Sequence, residues 1–190
     1  MAAKAQATRA AILERAVDLA STEGLEGLTI GGLAAELQMS KSGLFAHFGS
    51  KEELQLATLD AAAQRFYEAV VAPAQEHDEG LPRLRAYCRG YLDYLQAGVF
   101  AGGCFWAAAA TEFDDRPGPV RDAVRAGVLS WLGELERQAA SSDDAGELAF
   151  EVYSLGLGAN TCSRLLGDER AFDRARAAIE RLLRQRFVGS

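Results

Sequence analysis

"LTIGGLAAELQMSKSGLFAHFGSKEEL", residues 28–54, packs three helical patterns into the length of one ordinary helix. The first, capped by Thr29, sets Ile30, Leu33, Ala34 and Leu37 at the three-and-four spacing of a buried face. The second runs from Ser40, a capping residue, through Phe48, and Gly49 stops it. Ser50-Lys51-Glu52-Glu53 then reads as a capping box that opens a third, longer helix. A middle helix of only about two turns is marginal without tertiary support, so its shortness needs a reason.

Leu44 and Phe48 are i, i+4 neighbours that must face inward, which turns Lys41, Ser42, Phe45 and His47 outward. A helix-turn-helix requires this arrangement. Its first helix braces the duplex, and the second enters the major groove, about 12 Å wide, where only its N-terminal part reaches base edges. Ser40 and Lys51 mark helix N-termini, where N–H groups and the helix dipole favour a phosphate. The candidate DNA-binding residues are therefore Thr29, Ser40, Lys41, Ser42, Gly43, Phe45, His47 and Lys51.

The net charge of −7 argues against nucleic acid when taken alone. Its distribution argues the other way. Residues 37–51 contain no acid but hold Lys41, His47 and Lys51, and residues 1–13 contain none but hold Lys4 and Arg9. The acidic surplus lies in residues 52–190, leaving the opening stretch locally cationic.

Helical periodicity continues to the end of the chain, and no strand pattern is convincing. A helix over 7–23 has Ile12, Ala16, Leu19 and Ala20 on its stripe and Gly24 as its stop. After the helix that opens at Lys51 and runs toward Ala72, further helices are expected from Leu81 to about Gln96, through Thr111, from Val120 to near Ala140, over 144–166 and over 169–187. The expected fold is all-α with about nine helices. A helix-turn-helix domain over residues 1–50 precedes a larger helical domain over 51–190.

The stretch "LTIGGLAAELQMSKSGLFAHFGSKEELQLATL" resembles the DNA-binding segment of TetR/AcrR-type bacterial transcriptional regulators. Thr29, Ile30, Leu33, Ala34, Met39, Ser40, Leu44, His47, Phe48, Ser50, Lys51, Glu52 and Leu54 match the family's pattern in register. Two positions depart from it. Gln38 stands where a turn glycine is usual, which asks a non-glycine residue to take an unusual backbone conformation. Phe45 stands where a tyrosine usually donates to a phosphate, so it offers only apolar contact, to a sugar or a thymine methyl. Gly43 leaves little side chain for base readout.

The resemblance implies that helices four to seven enclose a ligand cavity. Aromatic residues of that region are core material first, and Phe66, Tyr91, Phe105, Trp106 and Trp131 are the candidates for lining a pocket. Residues 94–111 carry no charge, which points to an apolar or aromatic effector. Ala149, Val152, Gly156, Ala159 and Ser163 form a small-residue ridge, and Ile179, Leu182 and Leu183 belong to an apolar stripe of the last helix. Either surface suits internal packing or a two-fold four-helix interface, and the resemblance favours a homodimer.

The implied protein is a dimeric regulator, most simply a repressor, that binds double-stranded DNA at a palindromic operator and is released by a small-molecule effector. No Ser/His/Asp set, phosphate-binding glycine loop or metal-ligand spacing supports an enzyme, a metal site or a cofactor. No apolar run approaches a membrane span, and unpaired Cys88, Cys104 and Cys162 suggest a reducing cytoplasm. The alternative is an all-α module whose short helix binds a protein partner without DNA.

Overall fold

The structure, a computed structural model, describes residues 2–187, with side chains from residue 5 onward. Lys4 therefore lies outside the described side chains. Among the described residues the fold is all-α. Helices α1 (Ala2–Glu23), α2 (Ile30–Glu36) and α3 (Lys41–Phe48) come first. Helix α4 (Lys51–Phe66) continues through a π-helical segment (Tyr67–Val71) into a last turn (Ala72–Ala74). Helices α5 (Leu81–Ala97), α6 (Phe105–Phe113), α7 (Pro119–Gln138), α8 (Ala145–Leu166) and α9 (Ala171–Arg186) follow. The class and the count of nine described helices are those expected from the sequence.

Pro73 explains the π-helical segment. It has no N–H to donate, and in a regular helix its ring would press on the carbonyl of Ala69. The chain widens by one residue just before it, and the Ala72 N–H donates to the Tyr67 carbonyl five positions back. Helical backbone thus continues through the proline to Ala74.

The chain divides into two compact units. One comprises Met1–Gln64 with Phe100–Ala126, the other Arg65–Val99 with Gly127–Ser190. In the first, Ile12, Ala16, Val17 and Ala20 of α1 are buried, together with Leu25, Leu28, Leu33, Leu44, Phe48 and Leu54. Two expected positions differ. Leu19 is half-buried while Val17 is buried, so the inward face of α1 is rotated toward Val17. Leu37 is half-buried because it is the C-cap of α2, where the chain already leaves the helical stripe.

In the second unit, α8 and α9 are joined through Gly167 (φ 67), and both pack on α5. Their shared core includes Tyr87, Tyr91, Trp131, Val152, Ile179 and Leu183. No described helix is long and apolar enough to cross a membrane.

Candidate nucleic-acid interface

The turn between α2 and α3 is a Schellman motif. The Met39 N–H donates to the Ala34 carbonyl at 2.9 Å and the Gln38 N–H to the Ala35 carbonyl at 3.2 Å. Gln38 sits at φ 54, the one described non-glycine residue with a positive φ. The departure noted in the sequence is therefore a left-handed glutamine at the position where glycine carries least strain.

Both helices of the motif begin with the same cap. Thr29 Oγ1 accepts from the Gly32 N–H and Ser40 Oγ from the Gly43 N–H, each at 3.0 Å. A Cβ on Gly43 would lie 2.9 Å from the Ser40 oxygen, so a glycine there keeps the cap tight. The hydroxyls of Thr29 and Ser40 are committed to these caps. What either residue presents to a ligand is the helix N-terminus that it shapes.

Burial sorts α3 into two faces. Leu44 is 0% and Phe48 2% exposed, whereas Phe45 is 52% exposed. Lys41 and Ser42 are also exposed, while Gly43 and His47 are half-buried. The His47 ring lies 6.2 Å from that of Phe48. On the covered side, the Arg9 guanidinium stands 5.0 Å over the Phe48 ring, a cation–π contact between α1 and α3.

Lys51 sits at the start of α4, half-buried, and its ammonium is occupied. It donates to the Glu26 carbonyl at 2.6 Å and to a Glu26 carboxylate oxygen at 2.9 Å. The lysine hydrogen bond is the main reason that the Glu26 carboxyl is held below the ordinary carboxylate range. Gln55, buried one turn further along α4, donates to the Leu25 carbonyl at 2.9 Å. These contacts fix the α1–α2 loop to the start of α4. Sequence reasoning missed them, although a glutamine among Leu54, Leu56 and Leu59 was a visible irregularity.

The pocket candidates fall into two groups. Phe66, Tyr91 and Trp131 come together in one unit, with ring centroids 5.1 Å (Phe66–Trp131), 5.4 Å (Tyr91–Trp131) and 6.5 Å (Phe66–Tyr91) apart. Tyr87 and Tyr94 complete this cluster. Burial, the larger cause, together with the nearby Glu134 carboxylate pushes the Tyr87 hydroxyl up to about 12. The buried Trp131 Nε1–H has no hydrogen-bond partner among the described residues. Phe105 and Trp106 belong to the other unit, where Phe105 packs against Phe100 at 5.4 Å.

The ridge expected at a dimer interface is largely covered by the chain itself. Ala149, Val152, Gly156 and Ala159 are buried, and a Cβ on Gly156 would lie 2.2 Å from the Tyr91 ring. Ile179 and Leu183 are buried as well, whereas Ser163 and Leu182 are half-buried. The small residues serve a close crossing of α8 over α5, a use that helical spacing alone could not separate from an interface. The other face of α8 is the open one: Phe150 is 65%, Leu165 78% and Leu166 71% exposed. An open groove of about 850 Å³ between α8 and α9 is lined by Leu155, Gly158, Cys162 and Leu182, among others.

Among the described residues, no group of three or more His, Cys, Asp and Glu could hold a metal ion. Cys88, Cys104 and Cys162 are free thiols, and burial pushes that of Cys88 up to about 12.

Two family models match this chain. Residues 12–58 match the bacterial regulatory proteins of the tetR family, and residues 80–179 match the tetracyclin repressor-like C-terminal domain. Among solved structures, a TetR transcriptional regulator from Chloroflexus aurantiacus is 26% identical, with a TM-score of 0.82 over 96% of this chain and 97% of its own. SCO4454, a TetR-family regulator from Streptomyces coelicolor, is also 26% identical, with a TM-score of 0.82 over 94% and 96%. AibR, solved with isovaleryl coenzyme A and operator DNA, shares the fold at 23% identity and a TM-score of 0.72 over 94% and 98%. None of the curated proteins matches the chain. The C-terminal match alone spans more than half of the sequence, and the N-terminal match falls on the capped, two-faced helix pair: the chain belongs to the TetR family of DNA-binding, ligand-responsive transcriptional regulators.

Proposed function

We propose that this regulator is a cytoplasmic homodimeric repressor, released from a palindromic operator by a small apolar or aromatic molecule. The observation that carries the reading is the division of α3. Leu44 and Phe48 are fully buried beneath an exposed Lys41, Ser42 and Phe45, on an eight-residue helix in an acid-free window. Residues 1–50 form the reading head, and residues 51–190 bind the effector and the partner copy.

Roles within the head follow from what each side chain has left to offer. Lys41 and Ser42 face bases or phosphates, Phe45 packs on a sugar or thymine methyl, and His47 reaches a phosphate from the flank. Gly43 admits the backbone close to the groove. Thr29, Ser40 and Lys51 contribute through helix N-termini, since the Thr29 and Ser40 oxygens and the Lys51 ammonium already have partners.

The effector binds among Phe66, Tyr91 and Trp131, where an acceptor atom would satisfy the buried Trp131 N–H. Phe105 and Trp106 remain candidates from the charge-free stretch that follows α5. Dimerisation uses the open α8–α9 face, including Phe150, Leu165, Leu166 and Leu182. AibR, with both operator DNA and an acyl-coenzyme A bound, supports the pairing of the two ligands on this fold.

A gel-shift titration with DNA from upstream of its own gene tests the reading. A shift that resists unrelated competitor, and that an apolar molecule reverses while quenching Trp131 fluorescence, is the expected result. DNA release without binding near Trp131, or saturation there with the DNA complex intact, removes the coupling. Failure to shift any duplex removes the head assignment.

A further inference from the structure

Leu25 and Glu26, in the loop between α1 and α2, have all four of their backbone hydrogen-bonding groups held by side chains from other elements. Gln55 donates to the Leu25 carbonyl at 2.9 Å and Lys51 to the Glu26 carbonyl at 2.6 Å, both from α4. The two N–H groups go elsewhere. Leu25 N–H donates to Glu112 Oε2 at 2.8 Å and Glu26 N–H to Glu112 Oε1 at 3.0 Å. One carboxylate from α6 thus accepts from two successive amides some 86 residues away in sequence.

Several features make room for this contact. Gly24 has φ 86, and a Cβ there would lie 2.6 Å from the Glu112 carboxylate. At the other end of the same helix, the Gly102 N–H donates to Ser21 Oγ at 3.3 Å, and a Cβ on Gly102 would collide with the Ser21 carbonyl. The chain entering α6 and the last turn of α6 therefore both grip the end of α1. Arg116, just beyond α6, adds a longer ion pair to Glu26 at 3.9 Å. Glu112 is also the first charged residue after Asp93, at the end of an otherwise charge-free run.

We propose that Glu112 is a positioning residue for DNA binding. By holding the amides of Leu25 and Glu26 it fixes the loop that leads into Thr29 and α2, and so sets the angle at which α2 and α3 are presented. The proposal rests on the head being the DNA-binding surface. Hydrogen bonds to a charged acceptor are among the stronger ones in proteins, and removing this acceptor leaves two part-buried N–H groups without it.

Glu112→Gln in the full-length protein is the test, because it keeps the shape of the side chain but leaves a single acceptor oxygen facing two donors. Removing a negative charge should by itself strengthen binding to any DNA. The clamp predicts the opposite at the operator: affinity falls about tenfold, with the salt slope unchanged and binding to unrelated duplex not weakened. Amide exchange at Leu25 and Glu26 quickens in the same variant, and Glu112→Asp, which keeps the charge on a shorter arm, also loses operator affinity.

An operator affinity within twofold of the wild type overturns the proposal. So does an equal loss on operator and unrelated DNA, which would mark a merely structural role. Unchanged exchange at Leu25 and Glu26 overturns the clamp without reference to DNA. A wild-type protein that binds no duplex would instead count against the head assignment.

Discussion

Lys51 and Glu26 are joined twice, with the ammonium 2.6 Å from the Glu26 carbonyl oxygen and 2.9 Å from a carboxylate oxygen. The ammonium charge is thereby partly neutralised within the protein. Lys51→Met should therefore lower operator affinity by loosening the loop, with the salt slope changed by well under one unit. Lys41→Ala, which removes an exposed cation of α3 with no ion-pair partner among the described residues, should reduce the slope by about one if α3 reads DNA as proposed. Binding isotherms over a range of salt concentrations distinguish the two, and a full unit lost in Lys51→Met would mean that its ammonium leaves Glu26 for a phosphate.

The left-handed Gln38 predicts a stabilising change. Its backbone stands at φ 54 in a Schellman turn, where a side chain is strained and glycine is not. Gln38→Gly should raise stability by about 1 kcal/mol, offset in part by the greater freedom of glycine in the unfolded chain. Thermal melts measure this directly. A lowered melting temperature would show that the Gln38 side chain makes a contribution larger than the strain.

Phe45 and Phe48 are three residues apart and differ completely in burial, 52% against 2% exposed. Phe45→Ala should weaken operator binding and leave the melting temperature nearly unchanged. Phe48→Ala empties a core position beneath Arg9 and should cost about 3–5 kcal/mol of stability. A pair of melts with matching affinity measurements settles the faces, and large destabilisation by Phe45→Ala would place it in the core.

For assembly, the informative substitutions are on the open face of α8. Leu165→Glu and Phe150→Glu put charge where the surface is apolar and exposed, and should yield folded monomers in sedimentation. Gly156→Leu should act differently, disrupting the chain's own core because the added side chain runs into the Tyr91 ring. Unaltered dimer mass in both charged variants would place the interface elsewhere.

The head was legible in the sequence because its information is local. Caps at Thr29 and Ser40, the anchors Leu44 and Phe48, and the misfit of Gln38 lie within about twenty residues, where periodicity and capping chemistry determine geometry. The second half was less legible for a physical reason. Small residues at helical spacing permit close approach to any neighbour, and only the fold shows that the neighbour of Gly156 is Tyr91. The grouping of Phe66, Tyr91 and Trp131 away from Phe105 and Trp106 likewise depends on tertiary packing. The Glu112 contacts join residues far apart in sequence, and the only local sign was that Glu112 is the first charge after an uncharged run.

Selection from a pool of random duplexes by the full-length protein tests the central claim most directly, since it presupposes no operator. A dimeric reader with one α3 per subunit should enrich palindromes whose half-sites lie about one helical turn apart, 10–10.5 base pairs between centres. Phe45→Ala should weaken that enrichment, and Leu165→Glu should abolish the paired half-sites. A pool that stays random after repeated rounds with folded wild-type protein would contradict the account.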